Sequence, residues 1–196
     1  MLKALLLYHS ITGNTEKVAR ALREGLEGQG CEVVVRKIAE GVPDDLLGYD
    51  LVCLGAPSYQ FLPPRPVLDF VAERMRFHSQ RGDILLGAPK RPGKYASVFV
   101  TYSGPHTGVA EATTAGKYLG QFFEHLGFEV VGEWYLVGEF HGNEAASTRG
   151  RLGDIRGRPN AADLAEVRQK AAELVARLAA GSAAGSPGAE SPATFR

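Results

Sequence analysis

Cysteine is nearly absent from this chain. Only Cys31 and Cys53 occur, each alone in an apolar stretch and outside any C-x-x-C pair. A disulfide scaffold and a dithiol redox motif are thereby set aside. Buried, reduced, structural thiols of a cytoplasmic protein are the expectation. Neither sign of charge is in excess, because 22 basic residues face 22 acidic ones. That balance argues against nucleic acid or a membrane surface as partner. No apolar run is long enough to span a bilayer. Met1-Leu2-Lys3 leads into a short strand-like run without a cleavage signature, so no export signal is expected. Two phosphate signatures are also missing at the first turn of the chain. No Lys follows its glycine in the G-x-x-x-x-G-K-[ST] manner, which removes an ATPase-type loop. No G-x-G-x-x-G stands there either, which weakens a dinucleotide-binding reading.

What is present is ordinary in amount and informative in order. Hydrophobic residues make up 44% of the 196 residues, as in a soluble globular protein with one sizeable core. Apolar strand-like runs occupy residues 2–8, 32–38, 51–56, 96–102 and 129–138. Helical spacing occupies 15–28, 66–77, 108–126 and 160–179. The run 51–56 is wholly apolar, as in a strand buried on both faces. Strands alternating with helices predict an α/β fold, a parallel sheet covered on both sides. In such sheets ligands bind beyond the carboxyl ends of the strands. The loops after strands one, three, four and five therefore share one edge. Residues 181–196 are rich in Gly, Ser, Ala and Pro, so a domain over 1–180 followed by a flexible tail is expected.

The first of these loops reads Ser10-Ile11-Thr12-Gly13-Asn14-Thr15. It joins a strand to a helix, where backbone N–H groups are unpaired and face an anion. Ser10, Thr12 and Thr15 add hydroxyls, Asn14 adds an amide, and Gly13 lets the backbone take a positive φ. A helix cap would need one hydroxyl. Four polar side chains and a glycine in six residues exceed that need and point to phosphate.

The loop after strand three carries Pro57, Ser58, Tyr59 and Phe61. Its aromatics either stack on a flat ring or pack beneath the loop. The loop after strand four runs Tyr102-Ser103-Gly104-Pro105-His106-Thr107-Gly108. Its small residues either admit a ligand edge to the backbone or simply start a helix. Together the three loops describe a phosphate with a flat ring attached.

In these motifs the chain resembles the flavodoxin-like FMN-binding flavoproteins over about residues 1–180. Residues 10–15 match that family's [ST]-x-T-G-x-T phosphate loop. Gly55-Ala56-Pro57-Ser58-Tyr59 is similar to its second flavin loop, and Tyr102-Ser103-Gly104 stands where its third loop stands. The resemblance implies a doubly wound five-stranded sheet of order 2-1-3-4-5 and FMN as cofactor. It implies that Ser10, Ile11, Thr12, Gly13, Asn14 and Thr15 hold the phosphate. Pro57, Ser58 and Tyr59 would line one side of the isoalloxazine, with Tyr59 stacking. Tyr102, Ser103, Gly104, His106 and Gly108 would line the other. The flavin carries the redox chemistry, so no catalytic side chain is required.

Several alternatives stand at this point. The chain transfers electrons to or from a redox protein partner or a small acceptor such as a quinone. It is otherwise an NAD(P)H-dependent FMN and quinone reductase, or a non-redox phosphoryl-ligand module of the same fold. Electron-carrier flavodoxins are strongly acidic and this chain is neutral, which weakens the generic carrier. Residues 139–158 form a long polar stretch with Arg149, Arg151, Arg156 and Arg158. They would either dock an anionic substrate or NAD(P)H phosphate, or pair with Glu139, Glu144 and Asp154 in a solvated loop. The paired reading is preferred. His9, His106 and His141 lack ligand spacing, so no metal is expected. His106 would instead steady the negative charge of reduced flavin. Phe61 at a loop tip suggests a homodimer.

Overall fold

Strict alternation assigns the two faces of the first strand, β1 (Lys3–Tyr8). Ala4 and Leu6 enter one apolar cluster, Leu5 and Leu7 the other, and all four are buried. Burial of each leucine side chain contributes about 1.5–3 kcal/mol. The computed structural model describes residues 1–38 and 45–184, with side chains through residue 180. The strands β2 (Glu32–Lys37), β3 (Leu51–Pro57), β4 (Tyr95–Tyr102) and β5 (Glu129–Val137) join β1 in one sheet of order β2-β1-β3-β4-β5. Every neighbouring pair is parallel. β3 sits centrally and is buried on both faces, as its unbroken apolar run predicts.

Helices cover both faces. α1 (Asn14–Glu27) and α5 (Ala161–Ala184) pack on the side of Ala4, Leu6 and Cys53. α2 (Arg65–Gln80) and α3 (Ala110–His125) cover the side of Leu5, Leu7 and Val52. A five-residue helix, α4 (Glu144–Thr148), lies between β5 and α5. Both cysteines are free and buried, and burial pushes the Cys53 thiol up to about 12. Among the described residues no helix is long and apolar enough to cross a membrane.

Three boundaries differ from the periodicity by two residues or more. α3 begins at Ala110 rather than Gly108, because Gly108 takes φ 69° to close the preceding turn. α2 continues past Phe77 to Gln80, since the fully buried His78 anchors its last turn through Asp83 Oδ2, 2.8 Å from Nδ1. α5 runs on to Ala184, and of the tail residues 185–196 lie outside the described residues.

Candidate functional site

The loop between β1 and α1 is shaped by its backbone. Gly13 caps α1 with φ 94°, and no side chain caps the helix. Ser10 Oγ accepts from the Gly13 N–H at 3.2 Å, which leaves its own proton free to donate. The backbone N–H groups of Thr12, Asn14 and Thr15 have no hydrogen-bond partner among the described residues. Unpaired N–H groups at the positive end of a helix dipole are a donor set that suits an anion. The helix-cap explanation of this turn therefore fails, since the polar side chains do not cap.

Two of those side chains are turned to other work. Thr15 Oγ1 lies 2.8 Å from Thr101 Oγ1 in a buried hydroxyl pair joining α1 to β4. Asn14 Nδ2 donates to the Glu139 carbonyl at 2.9 Å, and Asn14 Oδ1 lies 3.3 Å from His141 Nε2. Asn14 thus ties the first loop to the segment after β5. Gly138 makes room for it: a Cβ there would stand 2.6 Å from Asn14 Nδ2.

The loop after β3 ends in a tight turn over residues 59–62. Tyr59 N–H donates to the Leu62 carbonyl at 2.8 Å, and Leu62 N–H returns to Tyr59 at 3.2 Å. Gln60 and Phe61 take φ 50° and 73°, the left-handed region that ordinary residues avoid at a cost of about 1–2 kcal/mol each. The turn projects Tyr59 and Phe61, which are 45% and 56% exposed.

The loop after β4 folds back on itself, with Gly108 N–H donating to the Gly104 carbonyl at 3.0 Å. Glu111 Oε1 accepts from the N–H groups of His106 at 2.8 Å and Thr107 at 2.6 Å. Ser103 Oγ donates to the Gly138 carbonyl at 2.8 Å and ties this loop to the end of β5. Burial raises the Tyr102 phenol above its ordinary range.

These loops enclose a cavity of about 550 Å³. Of the expected site residues, Ser10, Ile11, Thr12, Asn14 and Thr15 line it, as do Pro57, Ser58 and Tyr59. Tyr102, Ser103, Gly104 and His106 line it from the third loop. Gly13 and Gly108 shape the turns behind and are not in the lining. Thr101, Glu111, Phe140 and His141 are brought in by the fold without having been marked as cofactor residues. Glu111 had a local signal, an acid in the first turn of α3; Phe140 and His141 had only their position after β5. His9 ends buried, with its imidazole pKa lowered by burial and then by Lys37, and does not line the cavity.

Residues 139–158 are folded as well as long. Phe140 N–H donates to Ser147 Oγ at 3.0 Å, and Gly157 N–H to Glu139 Oε2 at 2.8 Å. Arg156 pairs with Asp154, as the solvated-loop reading expects, and holds its carboxyl down at about 2. Arg158 pairs with Asp163 of α5 instead of an acid of the segment itself.

A family model described as Flavodoxin matches residues 6–170. The chain belongs to the flavodoxin family. FMN is the cofactor of that family, and the protein is an FMN-binding redox protein. The site fits the cofactor: unpaired N–H groups stand ready for its phosphate, and an aromatic-walled cavity for its rings. Among relatives, the NAD(P)H dehydrogenase (quinone) of Archaeoglobus fulgidus is 31% identical over 171 residues, 76% of this chain and 86% of that protein. Its counterpart from Paraburkholderia phymatum is 29% identical over 212 residues, 92% of this chain and 98% of that protein. Among solved structures, a flavodoxin from the domain Archaea superposes with TM-score 0.63 at 17% identity, covering 91% of this chain and 99% of the other. A WrbA-like flavodoxin from Agrobacterium tumefaciens gives 0.57 at 16% identity, covering 92% and 99%. At such identities the superpositions bear on the fold of this flavodoxin-family chain alone.

Proposed function

We propose that this protein is an FMN-dependent NAD(P)H:quinone oxidoreductase. The observation that carries the reading is that the segment after β5 also lines the cavity. Phe140, 42% exposed, and His141 of that segment line the same cavity as the projecting Tyr59 and Phe61. A flat aromatic substrate would meet aromatic side chains from both segments, whereas a carrier needs only an open flavin edge for its protein partner. The quinone dehydrogenase relatives support the same assignment, since they match along most of their length. The chain's charge balance supports it too, because it carries none of the net acidity with which carrier flavodoxins attract basic partners.

In this proposal the phosphate of FMN rests on the N–H groups of Thr12, Asn14 and Thr15 and the hydroxyls of Ser10 and Thr12. Tyr59, with Pro57 and Ser58, lies along one side of the isoalloxazine. Tyr102, Ser103 and Gly104 face the other side. His106 steadies the negative charge of the reduced cofactor. Bound FMN supplies two-electron redox chemistry. Overall, NAD(P)H, a proton and a quinone yield NAD(P)+ and a hydroquinone. The buried free thiols are in keeping with a cytoplasmic location. The exposed Ile11, Phe61 and Leu62 near the rim support a homodimer, which sedimentation would read directly.

The test is to mix the FMN-loaded protein with NADH or NADPH and then with 1,4-benzoquinone. Bleaching of the flavin band and equimolar hydroquinone are expected. A flavin that stays oxidised with both donors, yet exchanges electrons with a redox protein, returns the chain to the carrier reading. An unchanged flavin potential in His106→Ala removes that residue's role.

A further inference from the structure

Of the four arginines between β5 and α5, two are neutralised and two are not. Arg156 and Arg158 are paired with Asp154 and Asp163. Arg149 and Arg151 are exposed, and neither guanidinium has a hydrogen-bond or carboxylate partner among the described residues. The backbone places both beside the cavity. Arg151 N–H donates to the Pro105 carbonyl at 2.8 Å, and Pro105 lines the cavity. Gly150 between them lies against the same proline, where a Cβ would stand 2.9 Å from Pro105 Cα. The turn is closed by Gly153 N–H donating to the Gly150 carbonyl at 3.0 Å. The Arg151 side chain runs along Gly108, its Cδ 3.5 Å from the position a Cβ would occupy there. The neighbouring carboxylate, Glu111 in the first turn of α3, is engaged by the N–H groups of His106 and Thr107 and pairs with neither arginine.

We infer that Arg149 and Arg151 are the phosphate-recognition pair for the pyridine dinucleotide, holding a phosphate of NAD(P)H while its nicotinamide enters the cavity. The inference rests on the reductase reading above. Its physical basis is the guanidinium fork, which matches the oxygens of a phosphate and forms charge-assisted bonds. A guanidinium already paired to a carboxylate must give up that partner to bind phosphate; these two need not. Because both are exposed, their attraction is screened by salt.

The test uses the FMN-loaded protein and its Arg149→Ala/Arg151→Ala variant with three hydride donors: NADPH, NADH and 1-benzyl-1,4-dihydronicotinamide, which has no phosphate. The variant is expected to raise KM for the dinucleotides about 10- to 100-fold and to leave the phosphate-free donor unaffected. A rise for NADPH alone assigns the pair to the 2′-phosphate, and a rise for both donors to the pyrophosphate. Titration of 2′,5′-ADP by calorimetry is expected to show binding by the native chain and loss in the variant. Unchanged KM values, or an equal loss with the phosphate-free donor, overturn the inference. Should the native flavin be reduced by none of the three, the reductase reading falls. The 2′,5′-ADP titration then still decides the arginine pair, and equal binding by both proteins, or by neither, overturns it.

Discussion

The two walls of the cavity are built on opposite principles. The first, residues 10–15, is contiguous: one strand end, one left-handed glycine and one helix start deliver its donors. The second, from Glu139 onward, is assembled from tethers to distant parts of the chain. Asn14 reaches Glu139 across 125 residues of sequence, Ser103 holds Gly138, and Pro105 holds Arg151. The contiguous wall is preorganised by covalent geometry. The tethered wall depends on the other loops being in place. Substitutions in the first wall should therefore strike cofactor retention, and those in the second should strike the substrate. Asn14 belongs to both.

The sharpest break of this contrast is Ser10→Ala. Loss of a hydroxyl donor to a charged phosphate is expected to weaken FMN binding about 10- to 100-fold. Titration of the apoprotein, followed by flavin fluorescence, reads it. In the same titration Arg149→Ala should stay within about twofold, as exposed substitutions do. A comparable loss in both variants would erase the distinction between the walls.

Next in size is the buried hydroxyl pair behind the first wall. Thr15→Val leaves Thr101 Oγ1 without its partner, and stability should fall by about 1–3 kcal/mol. Adding Thr101→Val should restore most of it, because two apolar groups of the same shape leave nothing unsatisfied. Denaturant melts of the two singles and the double measure this. A double variant as unstable as the sum of the singles would mean that the threonines act independently.

Asn14→Ala probes the joint between the walls. It removes two hydrogen bonds of about 0.5–1.5 kcal/mol each at most. The tether, not the anchor, is what it cuts, since the Asn14 N–H remains. Quinone kcat/KM is expected to fall further than FMN affinity. The reverse order would place the Asn14 side chain on the phosphate after all.

The smallest expected effect lies in the segment after β5 but outside the cavity lining. Arg156 beside Asp154 holds that carboxyl at about 2, against an ordinary 3.8. A lowered folded-state pKa contributes stability above the ordinary value and loses it as pH falls toward about 2. Carbon-13 NMR should show Asp154 titrating near 2. The pair is exposed, so solvent screens most of that contribution, and Asp154→Asn should shift Tm only slightly at neutral pH. A titration at the ordinary carboxylate value would show that the pair does not persist in solution.

How legible each part was follows from the range of the interactions that build it. The strands and their burial could be read because alternation in Ala4, Leu5, Leu6 and Leu7 is a local property. The first loop could be read because its donors are neighbours in sequence. The turn at Gln60 and Phe61 could not: neither residue favours the left-handed region, and neighbouring structure holds them there. Helix α4 was hidden inside a stretch whose composition reads only as polar loop. Its cap by Asn143, which accepts from the Ala146 N–H at 2.9 Å, is a local cue too short to stand against that background.

Sequence alone determined which loops meet. Parallel strands put the segments after β1, β3, β4 and β5 on one edge, and the motif at 10–15 marked that edge as a candidate for phosphate. Tertiary structure alone decided how the polar groups on that edge divide their work. The Thr15 hydroxyl and the Asn14 amide look like ligand donors in sequence, and the fold gives each a protein partner as well, Thr101 for the hydroxyl and Glu139 and His141 for the amide. Four arginines look alike in sequence, yet two are neutralised and two have no partner among the described residues. A side chain's partners are set by what stands within about 3 Å of it in space, and that distance is fixed only when the sheet has closed.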